Sequence, residues 1–273
     1  MKSPIISAAQ LNRRLDDPNL IILDCSPQSN VSGLKPEFGN TVIKNARYFD
    51  IDTDFSDLTS GLPHTLPSPE QFGKNCRKLG LDNSSEIVVY DNLGIYTSPR
   101  VWWMFRAMGH DRIAVLDGGL SAWVKSGYPT QTAHDTAKKS GNFTARFKPE
   151  LVSDLDFVKQ NLTAKEALII DARSRERFIG TVPEPRAGVR SGNIPGSVNI
   201  PFEEVLDNRK FKEKEELRAV FKEVNDPSKE LVFSCGSGIT ACILLLASEL
   251  VLDQKKSVYD GSWAEWGSRE KNS

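Results

Sequence analysis

The sequence predicts an α/β protein of two domains in tandem, each a mainly parallel sheet flanked by helices. Two observations carry this. Short apolar runs alternate with segments of helical character along the whole chain, the pattern of strand–helix–strand units. The chain also resembles itself at a long period, and its 273 residues accommodate two domains of ordinary size.

Taken in order, the matching elements pair off. Ser7-Ala-Ala-Gln10 and Ser153-Asp-Leu-Asp156 both read as helix N-caps, with a polar acceptor three residues after the serine. Leu20-Ile-Ile-Leu-Asp24 and Ala167-Leu-Ile-Ile-Asp171 are apolar strands ending in aspartate. Ile43-Lys-Asn-Ala46 corresponds to Ile194-Pro-Gly-Ser197. A helix is expected from Pro69 to Leu79, with Cys76 packed inside it. Glu86-Ile-Val-Val-Tyr-Asp91 corresponds to Glu230-Leu-Val-Phe-Ser-Cys235, and Ala114 to Trp123 corresponds to Ser257 to Trp266. Trp123 and Trp266 are therefore expected in the two cores. The stretch 213–222 reads as an amphipathic surface helix, and Ile239 to Leu250 as a buried helix that carries Cys242. Between the copies, residues 129–141 are polar and lack apolar periodicity, as a linker does. The expected boundaries are a first domain over 1–135, a linker over 136–146 and a second domain over 147–273.

The spacing between matched segments drifts. The second copy carries extra residues between Asp171 and Ile194, and the first carries extra residues between Ile43 and Glu86. Additions to one copy of a duplicated fold are candidates for loops that meet at a site between the domains.

Composition narrows the function classes. Hydrophobic residues at 39% and charged residues at 26% are those of a globular chain. A formal net charge of −1 offers no attraction to nucleic acid or to an anionic membrane. No apolar stretch approaches the roughly 20 residues that span a bilayer, and no apolar signal-peptide core follows Met1. Four cysteines lie far apart and only three histidines are present. That argues against zinc and against a disulfide framework, and a reducing cytoplasm is the expected location.

The chemistry concentrates at Cys235-Gly-Ser-Gly-Ile-Thr240, a glycine-rich loop between a strand and a helix. Backbone N–H groups and the positive end of a helix dipole favour thiolate over thiol there. Gly236 and Gly238 are expected to allow positive φ and turn their N–H groups inward. Ser237 and Thr240 are expected to donate toward the sulfur, Thr240 alternatively being a plain helix cap. The plain alternative for Cys235 is a packed, inert thiol. The first copy has Asp91 at that position, and a carboxylate cannot accept sulfur.

This loop resembles the active-site loop of the rhodanese-like sulfurtransferases, in the form found in the branch that uses 3-mercaptopyruvate. The thiosulfate-using branch has Arg and Lys where this chain has Gly236 and Ser237. The resemblance implies two tandem rhodanese-like domains, the second catalytic, and sulfur transfer through a Cys235 persulfide to a thiol, thioredoxin or cyanide. No metal or organic cofactor is implied. It assigns the substrate carboxylate to Arg177 and Arg186, whose alternative is ordinary surface charge, and includes Gly236, Gly238, Ile239 and Thr240 in the substrate loop. Asp171, Arg173 and Arg175 read as structural. Asp52 is implied to orient Ser237, and His64 to bind substrate or relay a proton; the alternative for both is a solvated loop. Rival functions are thiosulfate sulfurtransferase and a non-catalytic sulfur carrier. A phosphatase with arginine six residues after the cysteine is disfavoured, because that residue is Ala241.

Overall fold

The computed structural model describes residues 3–270, which divide into two units. Each unit is built on a five-stranded sheet whose neighbouring strands are all parallel. Across the first sheet the order is Ile5–Ile6, Ile113–Leu116, Glu86–Tyr90, Leu20–Asp24 and Arg47–Tyr48. Across the second it is Val152–Ser153, Lys256–Tyr259, Glu230–Ser234, Ala167–Asp171 and Val198–Asn199. The orders correspond strand for strand, in the pairing expected from the internal repeat. In each sheet the central strand is nearly all apolar and buried, as parallel strands covered on both faces must be. Its register sets Asp24 beside Tyr90 and Asp171 beside Ser234. Asp91 and Cys235 therefore leave the carboxyl ends of their central strands, where parallel α/β sheets bind ligands.

The helices follow local chemistry. Pro69–Lys78 starts at Ser68, whose hydroxyl accepts from Gln71 N. Ala241–Glu249 is apolar all round and buried, as expected for a helix inside a core. Lys214–Val220 is closed by a capping box between Glu213 and Glu216. Ser7 caps Ala8–Asn12 with a full capping box to Gln10. The expected second cap shifts by one residue. Asp154, not Ser153, accepts from Phe157 N at the start of Leu155–Ala164. Ser153 ends a strand and its hydroxyl pairs with that of Ser257 at 2.7 Å. Either residue type satisfies a helix start, and strand pairing decided between them. Trp123 and Trp266 lie in the two cores.

The unit boundaries have a tertiary origin. Among the described residues the first unit comprises 3–57, 66–148 and 208–211; the second comprises 58–65, 149–207 and 212–270. The polar stretch expected as a linker runs along the first unit. Gly141 N donates to Arg77 O, Phe143 N to Leu81 O and Arg146 N to Met108 O. Phe143 is 1% exposed and packs with Phe72, Phe105 and His110, a burial worth about 1.5–3 kcal/mol for a phenylalanine. One apolar residue in a polar run shows no periodicity, so the docking left no mark in the sequence.

His110 gives the first unit a pH dependence. Burial pushes its imidazole below the ordinary value of 6.5, so the folded state disfavours the protonated ring. Stability is complete above that value and falls as pH drops through it toward the lowered one, because the unfolded chain takes up its proton first. Thermal unfolding between about pH 7 and 5 should show a falling Tm, and His110→Gln should flatten the slope. An unchanged slope in the variant would remove His110 as its origin.

Candidate active site

Cys235 follows the strand Glu230–Ser234 and is 2% exposed. Its loop is tied down from the final helix. Ser262 Oγ accepts from Cys235 N at 3.2 Å, Trp263 N donates to Cys235 O at 2.9 Å, and Ala264 N donates to Gly236 O at 2.9 Å. Ser262 is fully buried and holds φ of +49°, a conformation uncommon outside glycine. In the sequence this segment shows core character alone, because the contact spans 27 residues.

The two loop glycines have different reasons. Gly238 adopts φ of +78°, which a side chain would resist. Gly236 does not adopt positive φ. What it provides is close approach: a Cβ there would stand 3.0 Å from Arg177 Nη2 and 3.7 Å from Arg186 Nη1. The expectation of two left-handed glycines is thus corrected for Gly236. Ile239 is buried. Thr240 occupies the N-cap position of Ala241–Glu249 without a side-chain cap bond, so of its two expected roles the capping one is absent. Cys242 Sγ donates to Gly238 O at 3.2 Å from inside the helix, consistent with a packed thiol.

The convergence of Arg177 and Arg186 on Gly236 brings two guanidiniums beside the cysteine loop. Both come from the segment that is longer in the second copy. Arg177 is the middle residue of the short helix Arg175–Ile179 and is 21% exposed in its side chain. It is gripped by Glu184, which no local sequence pattern marks. Asp171 and Arg173 are buried and paired at 2.7 Å, in keeping with structural roles, and Arg175 sits on the surface with Glu204.

His64 lies in 58–65, which belongs by contact to the second unit although it falls within the expected first domain. Its Nδ1 is 3.3 Å from Ser237 Oγ, and Ser237 is 7% exposed. His64 holds φ of +58°, a strained conformation of the kind kept where the surroundings over-determine it. Asp52 belongs to the first unit, where its carboxylate accepts from Gln28 N at 3.2 Å.

The first unit's equivalent loop is closed on itself. The Asp91 carboxylate is fully buried and accepts from the N–H groups of Leu93, Tyr96, Thr97 and Ser98 and from Ser98 Oγ. Burial raises its pKa from the ordinary value, opposed by those donors. The Asp91 carboxylate fills the anion cradle of its own loop.

A cavity of about 610 Å³ lies elsewhere in the second unit, lined in part by Leu151, Phe157, Glu230, Leu252 and Lys256. Glu230 and Lys256 begin the strands that Ser234 and Tyr259 end. The cavity is therefore toward the amino ends of these strands, away from Cys235, and holds none of the candidate residues.

Comparisons with known proteins bear on this geometry. The model of the rhodanese-like domain matches residues 7–126 and again 154–269. The chain is 40% identical to thiosulfate/3-mercaptopyruvate sulfurtransferase 1, mitochondrial, of Arabidopsis thaliana, over 97% of this chain and 76% of that one. It is 37% identical to the 3-mercaptopyruvate sulfurtransferase of Escherichia coli K12, over 97% and 95%. The crystal structure of SseA from Escherichia coli, described as a 3-mercaptopyruvate sulfotransferase with the rhodanese fold, superimposes with a TM-score of 0.85. It has 34% identity and covers 96% of this chain and 99% of its own.

Proposed function

The chain belongs to the rhodanese-like domain family, and from that premise we propose that it is a sulfurtransferase taking sulfur from 3-mercaptopyruvate. The observation that carries this reading is the meeting of Arg177 and Arg186 at Gly236, beside Cys235. Guanidiniums bind a carboxylate through paired N–H groups, which a small keto acid requires. The Cys235 thiolate attacks the substrate sulfur. The C–S bond breaks, its electrons leave as the pyruvate enolate, and the enolate takes a proton. Ser237, with His64 or Asp52, is proposed to deliver that proton. The sulfur stays on Cys235 as a persulfide, cradled by loop N–H groups, until a thiol, thioredoxin or cyanide removes it. These are two half-reactions of covalent catalysis, and they need no metal or organic cofactor.

Thiosulfate is the rival donor. It carries two charges and would gain from cations on the loop, where Gly236 and Ser237 are neutral. Pyruvate release and intact protein mass after incubation with mercaptopyruvate test the function. A higher kcat/KM for thiosulfate than for mercaptopyruvate would replace it with the rival. Among the described residues no helix is long and apolar enough to cross a membrane. A reducing cytoplasm is proposed on the strength of four separated free thiols.

Arg177→Ala tests the carboxylate assignment. A hydrogen bond to a charged group contributes about 1.5–3 kcal/mol, so kcat/KM for mercaptopyruvate should fall roughly 10- to 150-fold. A fall of less than about twofold would leave Arg177 outside the donor site.

A further inference from the structure

We propose that Glu184 is a positioning residue, which pins the Arg177 guanidinium against Gly236 so that the donor carboxylate meets an arginine already oriented. The inference rests on the reading of Arg177 as a donor-binding group. The Glu184 side chain is 3% exposed. Its Oε1 accepts from Arg177 Nε at 3.2 Å and from Arg173 Nη1 at 2.8 Å, and its Oε2 accepts from Arg177 Nη2 at 2.5 Å. Glu184 thus holds one edge of the Arg177 fork and leaves the Nη1–Nη2 end to meet a ligand.

The grip is rigid because its far side is rigid. Arg173 has no exposed side-chain surface. It donates through Nε and Nη2 to Asp171, through Nη2 to Gly192 O, and lies 4.4 Å from the Trp263 ring centre. Asp171 ends the strand paired in register with Ser234, one residue before Cys235. Trp263 donates its backbone N–H to Cys235 O. A chain of alternating charges, Asp171, Arg173, Glu184 and Arg177, therefore runs from the sheet to the cysteine loop and reaches solvent only at its last member. Two carboxylates balance two guanidiniums, so what Glu184 supplies to the site is orientation more than net charge. An arginine ordered beforehand loses less side-chain freedom when its ligand arrives.

Glu184→Gln in the full chain keeps the shape and removes the charge, and two measurements follow. Phenylglyoxal modification, read by peptide mapping, should reach Arg177 several-fold faster than in the wild type, with exposed Arg218 unchanged as the control. KM for mercaptopyruvate should rise about tenfold with kcat little changed, while removal of sulfur from preloaded protein by dithiothreitol keeps its rate. Gly236→Ala should raise KM in the wild type by pressing on the pinned Arg177, and should do so less in the Glu184→Gln background. If Glu184→Gln does not fold, Glu184→Asp, with shortened reach, takes its place in the same two measurements. Unchanged Arg177 modification with unchanged KM would overturn the proposal. So would equal slowing of both half-reactions, which marks general damage to the loop. A wild type inert toward mercaptopyruvate would refute the function instead, and the phenylglyoxal comparison would still decide the role of Glu184.

Discussion

Cys235→Ser should release no pyruvate from mercaptopyruvate, and the wild-type protein should gain the mass of a single sulfur atom, on Cys235. A hydroxyl can hold neither a persulfide nor, without a strong base, the negative charge needed for attack. The other thiols are poor competitors. Burial pushes Cys25 well above its ordinary pKa, and the neighbouring charges of Asp91 and Asp24 push it further. Its Sγ already donates to Tyr90 O at 2.9 Å. Burial does the same to Cys76, and Cys242 is committed to Gly238 O within an apolar helix. Peptide mapping after treatment with mercaptopyruvate decides the matter. Sulfur on Cys76 or Cys242 in the wild type would overturn the assignment.

A fragment beginning at Phe147 should be far slower than the whole chain even when it folds. It lacks residues 58–65, which belong by contact to the second unit and bring His64 Nδ1 within 3.3 Å of Ser237 Oγ. A positioned acid or base commonly contributes about 10²–10⁴-fold, so turnover with mercaptopyruvate should fall by at least the lower figure. Circular dichroism establishes that the fragment is folded, and pyruvate release gives the rate. In the full chain, Asp52→Asn tests the proposed orienting carboxylate, since it removes charge and hardly alters shape. It should lower turnover without lowering Tm. A folded fragment with full activity would reduce Asp52 and His64 to ordinary loop residues.

The sequence by itself determined the duplicated α/β architecture and the glycine-rich strand-to-helix loop at Cys235, with Asp91 standing at the matching place in the first copy. Each is written in neighbouring residues: the apolar runs Leu20–Asp24, Ala167–Asp171 and Glu230–Ser234 are strands because of their own composition, and their order repeats. Tertiary structure alone decided the rest. Ser153 and Asp154 are equally good caps, and pairing with Tyr259 made Ser153 a strand residue. Gly236 reads as a turn glycine until Arg177 is found 3.0 Å from where its side chain would stand. Glu184 reads as one more surface carboxylate until two guanidiniums enclose it. His64 and Ser237 are 173 residues apart in sequence, and Cys235 and Ser262 are 27 apart. Backbone preference depends on a few adjacent residues, so it is legible along the chain. A side chain's chemical task depends on what the fold sets within about 3 Å of it, and no local pattern records that.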